Sequence, residues 1–190
     1  MRIGLYFGSF NPVHYGHLII ASHVANNTNC DQVWFIVTPQ NPLKTQKSLL
    51  NESHRKHLID LAIENDPQLR SSNIEFNLPR PSYTIDTLTY LSDLYPQHSF
   101  SVIMGSDAFS NIKKWKNWET LLKNYEVIIY ERPGFSVDKA LLYKNTSILK
   151  APLLQISSTM IREMIKNKKP IRYLLPDIII EEIHNQQYYD

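Results

Sequence analysis

The chain has 190 residues, 43% of them hydrophobic and 20% charged, with a net charge of +2. Such a mix excludes a disordered chain, is long enough for one domain with a sizeable core, and offers no extended basic surface for nucleic acid. Cys30 is the only cysteine, so no intramolecular disulfide forms. With no signal-like start and no long apolar run, the expectation is a cytoplasmic protein without a membrane partner.

Residues 2–7 read as a buried strand and residues 18–25 as a helix. Between them lies the turn Gly8-Ser9-Phe10-Asn11-Pro12-Val13-His14-Tyr15-Gly16-His17. A strand-to-helix turn points free backbone N–H groups and a positive helix end at one spot, which suits phosphate. Gly8 lets backbone approach a ligand and Ser9 adds a hydroxyl donor. His14 and His17 are three apart, which at a helix start puts both rings on one face. The alternatives are an ordinary Gly-Ser-x-Asn-Pro turn and half of a metal site. The sequence holds no HExxH and no cysteine cluster to complete a metal site.

Cys30 follows Asn27-Thr28-Asn29 and precedes Asp31, so no adjacent cation lowers its pKa and it is a poor nucleophile. Residues 32–37 form a second strand, and strand, helix, strand this close together implies a βαβ unit. The Pro-rich loop 38–44 leaves that strand at its carboxyl end and carries Lys44. A helix is expected over 51–64, with Leu58, Leu61 and Ala62 inward and His54 and His57 simply exposed. A short strand is expected over 74–78, followed by a helix capped by Ser82 or Thr84 with Ile85, Leu88, Leu91 and Leu94 as its apolar face.

The strand 100–104 runs into Gly105-Ser106-Asp107. Asp107 is either a turn residue or an acceptor for ribose hydroxyls, as an acid at a strand end often is in nucleotide folds. In the basic run that follows, Trp118 packs inward at a helix start. Trp115, between Lys114 and Lys116, is the better ring for stacking on a ligand. A strand over 126–130, a turn at 132–134, a short helix over 137–143 and a strand over 147–149 come next. Residues 153–156 read as a strand leading into a hydroxyl-rich cap, Ser157-Ser158-Thr159, with Arg162 one turn inside the helix. A last helix spans 177–185. The alternation of strands and helices predicts an α/β chain: a single domain with a Rossmann-like, doubly wound parallel sheet.

Three segments carry a resemblance. Ser-Phe-Asn-Pro-Val-His-Tyr-Gly-His at the start is similar to the signature of the HxGH nucleotidyltransferases, and within them to the bacterial nicotinate-nucleotide adenylyltransferases. Ser82-Tyr83-Thr84 with Leu88, and Ser157-Ser158-Thr159-Met160-Ile161-Arg162, resemble two further motifs of those enzymes, in the same order. The resemblance implies transfer of AMP from ATP to nicotinate mononucleotide, in NAD synthesis, with Mg²⁺ bridging substrate phosphates and no metal held by the protein itself. It implies His14 and His17 as catalytic groups. Gly8, Ser9, Phe10, Gly105, Ser158, Thr159 and Arg162 would surround ATP. Asn11, Lys44, Thr84, Asp107, Trp115 and Lys116 would surround nicotinate mononucleotide. Lys116 stands where many relatives have a second aromatic, and Phe7 where many have a glycine. Nicotinamide mononucleotide or another small acceptor remains the alternative substrate. A non-catalytic nucleotide-binding module is the alternative class. A homo-oligomer is left open.

Overall fold

The β-branched and aromatic runs of the sequence pair side by side into one six-stranded sheet, all parallel. The computed structural model describes residues 1–40, 49–152 and 154–189. The strands are β1 (Arg2–Gly8), β2 (Gln32–Val37), β3 (Leu69–Ser72), β4 (Ser99–Gly105), β5 (Glu126–Tyr130) and β6 (Thr146–Leu149). Their order across the sheet is β3-β2-β1-β4-β5-β6. The order reverses between β1 and β4, so a crevice opens outside their carboxyl ends, where α/β sheets of this kind bind ligands.

Both faces of the sheet are covered, as parallel sheets require. Along each strand, alternate residues serve opposite faces. Tyr6, Val33, Phe35, Val37, Ile103 and Ile128 enter one core with residues of α1 (Tyr15–Asn27), α2 (Glu52–Ile63), α6 (Ser158–Lys166) and α7 (Asp177–Asn185). Ile3, Leu5, Trp34, Ile36, Val102, Met104, Val127 and Ile129 enter the other with residues of α3 (Thr84–Leu94), α4 (Ser106–Phe109) and α5 (Trp118–Asn124). The doubly wound expectation holds. Among the described residues no helix is long and apolar enough to cross a membrane.

Four expectations need correction. Residues 74–78 are not a strand: Ile74–Asn77 form a 3₁₀ turn, and the strand lies earlier, at β3. The alternating Ile74-Glu75-Phe76 pattern misleads because Glu75, the polar member, is itself buried. The helix over 137–143 shrinks to a 3₁₀ turn, Lys139–Leu141, where the Asp138 carboxylate accepts the Ala140 N–H at 3.0 Å. No strand precedes α6 among the described residues of 153–156, so that helix start does not sit on a strand end. Neither Ser82 nor Thr84 caps α3; Tyr83 holds the cap position without a side-chain bond. His54 and His57 are exposed as expected, yet both touch the C-terminal region. His54 Nδ1 lies 2.6 Å from the Tyr188 hydroxyl, and His57 Nε2 lies 3.4 Å from Glu182.

Candidate active site

The turn after β1 is held from three sides. The Gly8 carbonyl accepts the Thr38 N–H at 3.0 Å, joining it to the end of β2. Phe10 adopts a left-handed backbone, φ 46°, and turns its ring back over Gly8. A Cβ on residue 8 would stand 2.8 Å from that ring, so any other residue would have to push the ring aside. From α2, the fully buried Arg55 guanidinium donates to the carbonyls of Ser9, Thr38, Pro39 and, through Nε, Leu50. From α6, Ser158 Oγ donates to the Pro12 carbonyl at 2.9 Å and Arg162 Nη1 to the Asn11 carbonyl at 2.7 Å. Asn11 is buried, and its side-chain oxygen accepts the Leu50 N–H. The peptide bond between Asn11 and Pro12 is cis.

His14 occupies the N-cap of α1 and His17 its first turn. Their rings stack with centroids 3.7 Å apart and planes inclined by 22°. His17 also meets the edges of Phe10 and Tyr6. Burial lowers the His14 pKa to about 4, and the nearby positive charge of Arg132 acts in the same direction. The His14 imidazole is therefore neutral at pH 7, with one ring nitrogen donating and the other accepting.

A second cluster stands at the carboxyl ends of β4 and β5. Arg132 Nε lies 3.4 Å from Asp107 Oδ1, and its Nη2 donates to the Tyr130 hydroxyl at 3.1 Å. The Tyr130 hydroxyl is 3.3 Å from that of Tyr6. The Ser106 hydroxyl accepts the Arg132 N–H. Gly105 is the gap between these groups: a Cβ there would fall within 3.1 Å of both Arg132 and Tyr130 and overlap Asp107. Thr84 opens α3. Trp115 is half-buried against the second core. Lys116 Nζ contacts Asp86 of α3 and lies 4.9 Å from the centre of the Tyr83 ring.

The structure thus joins Gly8, Ser9, Phe10, Asn11, His14, His17, Ser158 and Arg162 in one contiguous cluster. Thr159 belongs to it through the 3.3 Å contact of its hydroxyl with Arg162. Gly105 and Asp107 adjoin it through Arg132. Thr84 and Lys116 are linked to each other through the first turn of α3. Lys44 lies outside the described residues. Arg55 and Arg132 were not read from the sequence as site residues. Each carried a signal: Arg55 lies three and four residues before Leu58 and Ile59, on the apolar side of its helix, and Arg132 stands two residues past the end of β5, as Asp107 stands two past the end of β4.

The sheet order and the crevice beside this turn are those of a nucleotide-binding α/β fold. Residues 5–164 match the family model described as cytidylyltransferase-like. The chain is 50% identical to the "Probable nicotinate-nucleotide adenylyltransferase" of Cytophaga hutchinsonii, covering 100% of this chain and 98% of that one. It is 49% identical to the protein of the same name in Flavobacterium psychrophilum, covering 100% and 99%. It also superimposes on Plasmodium falciparum nicotinic acid mononucleotide adenylyltransferase complexed with NaAD, with a TM-score of 0.85 over 100% of this chain and 97% of that one, at 24% identity. The chain belongs to the cytidylyltransferase-like family and, within it, to the nicotinate-nucleotide adenylyltransferases.

Proposed function

We infer that this chain is an enzyme that transfers the AMP moiety of ATP to the 5′-phosphate of nicotinate mononucleotide. An oxygen of that phosphate attacks the α-phosphorus, the bond from the α-phosphorus to the bridging oxygen breaks, and pyrophosphate leaves. The products are nicotinate adenine dinucleotide and pyrophosphate. The nucleophile is already anionic, so no general base is needed. Catalysis is placement of two anions and stabilisation of the charge that develops on the leaving group.

The observation that carries the site assignment is the stacked pair His14 and His17 at the start of α1, beside the clasped turn. The two imidazoles donate to triphosphate oxygens, that of His14 in its neutral form. Gly8, Ser9 and Phe10 present backbone to the phosphates. Ser158 and Arg162 are committed in part to the turn carbonyls, so they fix its shape. The remaining guanidinium N–H groups of Arg162 and the start of α6 at Thr159 serve the β and γ phosphates. Gly105 leaves room for the nucleotide, and Asp107 accepts from a ribose hydroxyl. Asn11 and Lys44 align the acceptor phosphate. Thr84 and the start of α3 receive the pyridine carboxylate, and Trp115 stacks on the ring beside Lys116.

Mg²⁺ would be carried by the substrate. Among the described residues no group of three or more His, Cys, Asp or Glu side chains could hold a metal ion, and the Asp107 carboxylate faces Arg132. Bound with the substrate, such an ion would offset phosphate charge.

Supplying ATP labelled at the α-phosphorus tests the reading. The label is expected in the dinucleotide and not in pyrophosphate. Label in pyrophosphate, or no dinucleotide, would overturn it.

A further inference from the structure

Helix α3 begins at Thr84 behind a Tyr83 cap that offers no side-chain acceptor. In its first turn the Asp86 N–H donates to the Tyr83 carbonyl at 3.0 Å, and the positive end of the helix attracts an anion. Yet the same turn carries a carboxylate, Asp86. An incoming carboxylate would meet that charge at close range. The structure supplies the counter-charge from a different element. Lys116, two residues before α5, reaches both oxygens of Asp86 at 3.0 and 2.8 Å. The same ammonium lies over the Tyr83 ring. Trp115, which precedes it, is half-buried, and both it and Tyr83 pack against the second core.

We propose that the Lys116–Asp86 ion pair is a specificity determinant: by cancelling the Asp86 charge at the start of α3, Lys116 lets this pocket take a pyridine carboxylate in preference to a carboxamide. The proposal rests on the function inferred above. A carboxamide is neutral and gains nothing from the cancellation. A carboxylate feels the difference between a neutral pair and a bare Asp86. Both side chains are nearly half-exposed, 44% and 49%. Such a pair adds little to folding stability, so variants at both positions fold. Its effect on a bound anion is greater, because the substrate displaces the water that screens it.

The test compares kcat/KM for nicotinate and nicotinamide mononucleotide in wild type, K116M, D86N and K116M/D86N. The acid-to-amide ratio is expected to fall about 5- to 20-fold in K116M, the range of one partly screened charge contact. It should recover to within about threefold of wild type in the double variant, and the K116M loss should shrink as salt rises. A ratio unchanged in K116M, or a loss that the double variant fails to recover, would overturn the proposal while leaving the enzyme assignment intact. Turnover of neither mononucleotide by wild type would overturn both.

Discussion

The Arg55 guanidinium, with no side-chain surface exposed, donates to the carbonyl oxygen of Ser9 in the turn after β1. The same group holds the carbonyls of Thr38 and Pro39. One buried cation therefore ties the turn after β1 to the loop after β2 and to α2. Burial lowers its pKa to about 10, so it remains charged at pH 7. Replacement by methionine keeps the stem and strands several buried carbonyls. R55M is expected to lose about 3 kcal/mol or more of unfolding free energy, and R55K clearly less. Urea unfolding measures both. A loss under about 1 kcal/mol in R55M would show that the carbonyls are satisfied without it.

His14 carries a pH signature. Its folded pKa of about 4 lies below the ordinary 6.5. Between those values the unfolded chain binds the proton and the folded chain does not. Stability from this group is thus full above pH 6.5, falls as pH drops, and is gone below about 4. The window is worth up to about 3 kcal/mol. Urea midpoints at pH 7 and pH 5 should diverge more in wild type than in H14Q. Equal divergence would place the proton elsewhere.

Gly105 separates Asp107, Arg132 and Tyr130. In G105A the added methyl must displace the ends of those side chains rather than backbone. The fold should survive with a small change in Tm, while kcat/KM falls roughly tenfold through misplaced groups. A variant with wild-type kinetics would remove this cluster from the site.

Glu75 is a buried carboxyl that accepts the Thr87 hydroxyl at 2.7 Å, with the Ser82 and Thr38 hydroxyls close by. Burial raises its pKa. Its contribution is complete below the ordinary carboxyl range and is lost as pH rises through the raised value. The glutamine variant keeps the acceptor without the charge. E75Q should be at least as stable as wild type at pH 8, whereas E75A should lose about 1–3 kcal/mol through the cavity it leaves and the lost 2.7 Å bond, the Thr87 hydroxyl keeping only its 3.3 Å contact with the Tyr83 carbonyl. Thermal unfolding at pH 5 and pH 8 checks the sign.

Much of this was legible in the sequence. The parallel sheet followed from apolar runs of strand length alternating with helical periods, and the turn from Gly8 through His17 followed from residue chemistry. What escaped was set by tertiary context. The Ile74-Glu75-Phe76 alternation is the pattern of a half-buried strand, but burial of Glu75 against Thr87 made it a turn. Ser158 and Arg162 looked like free phosphate donors, and the structure shows them spending donors on the Pro12 and Asn11 carbonyls, a partnership across 146 and 151 residues of chain. Arg55 has no local signature beyond a charge among apolar helix positions, because its partners are carbonyls on three other segments. Lys116 could be seen as a departure from an aromatic. Its pairing with Asp86, 30 residues away, could not.

The most direct test is pyrophosphate release from ATP and Mg²⁺ with nicotinate mononucleotide, measured for wild type beside H17A. The stacked pair as transition-state donors predicts a turnover roughly 10²- to 10³-fold lower in H17A, with the fold intact by circular dichroism. Turnover near wild type in a folded H17A would contradict the assignment of the reaction to this turn.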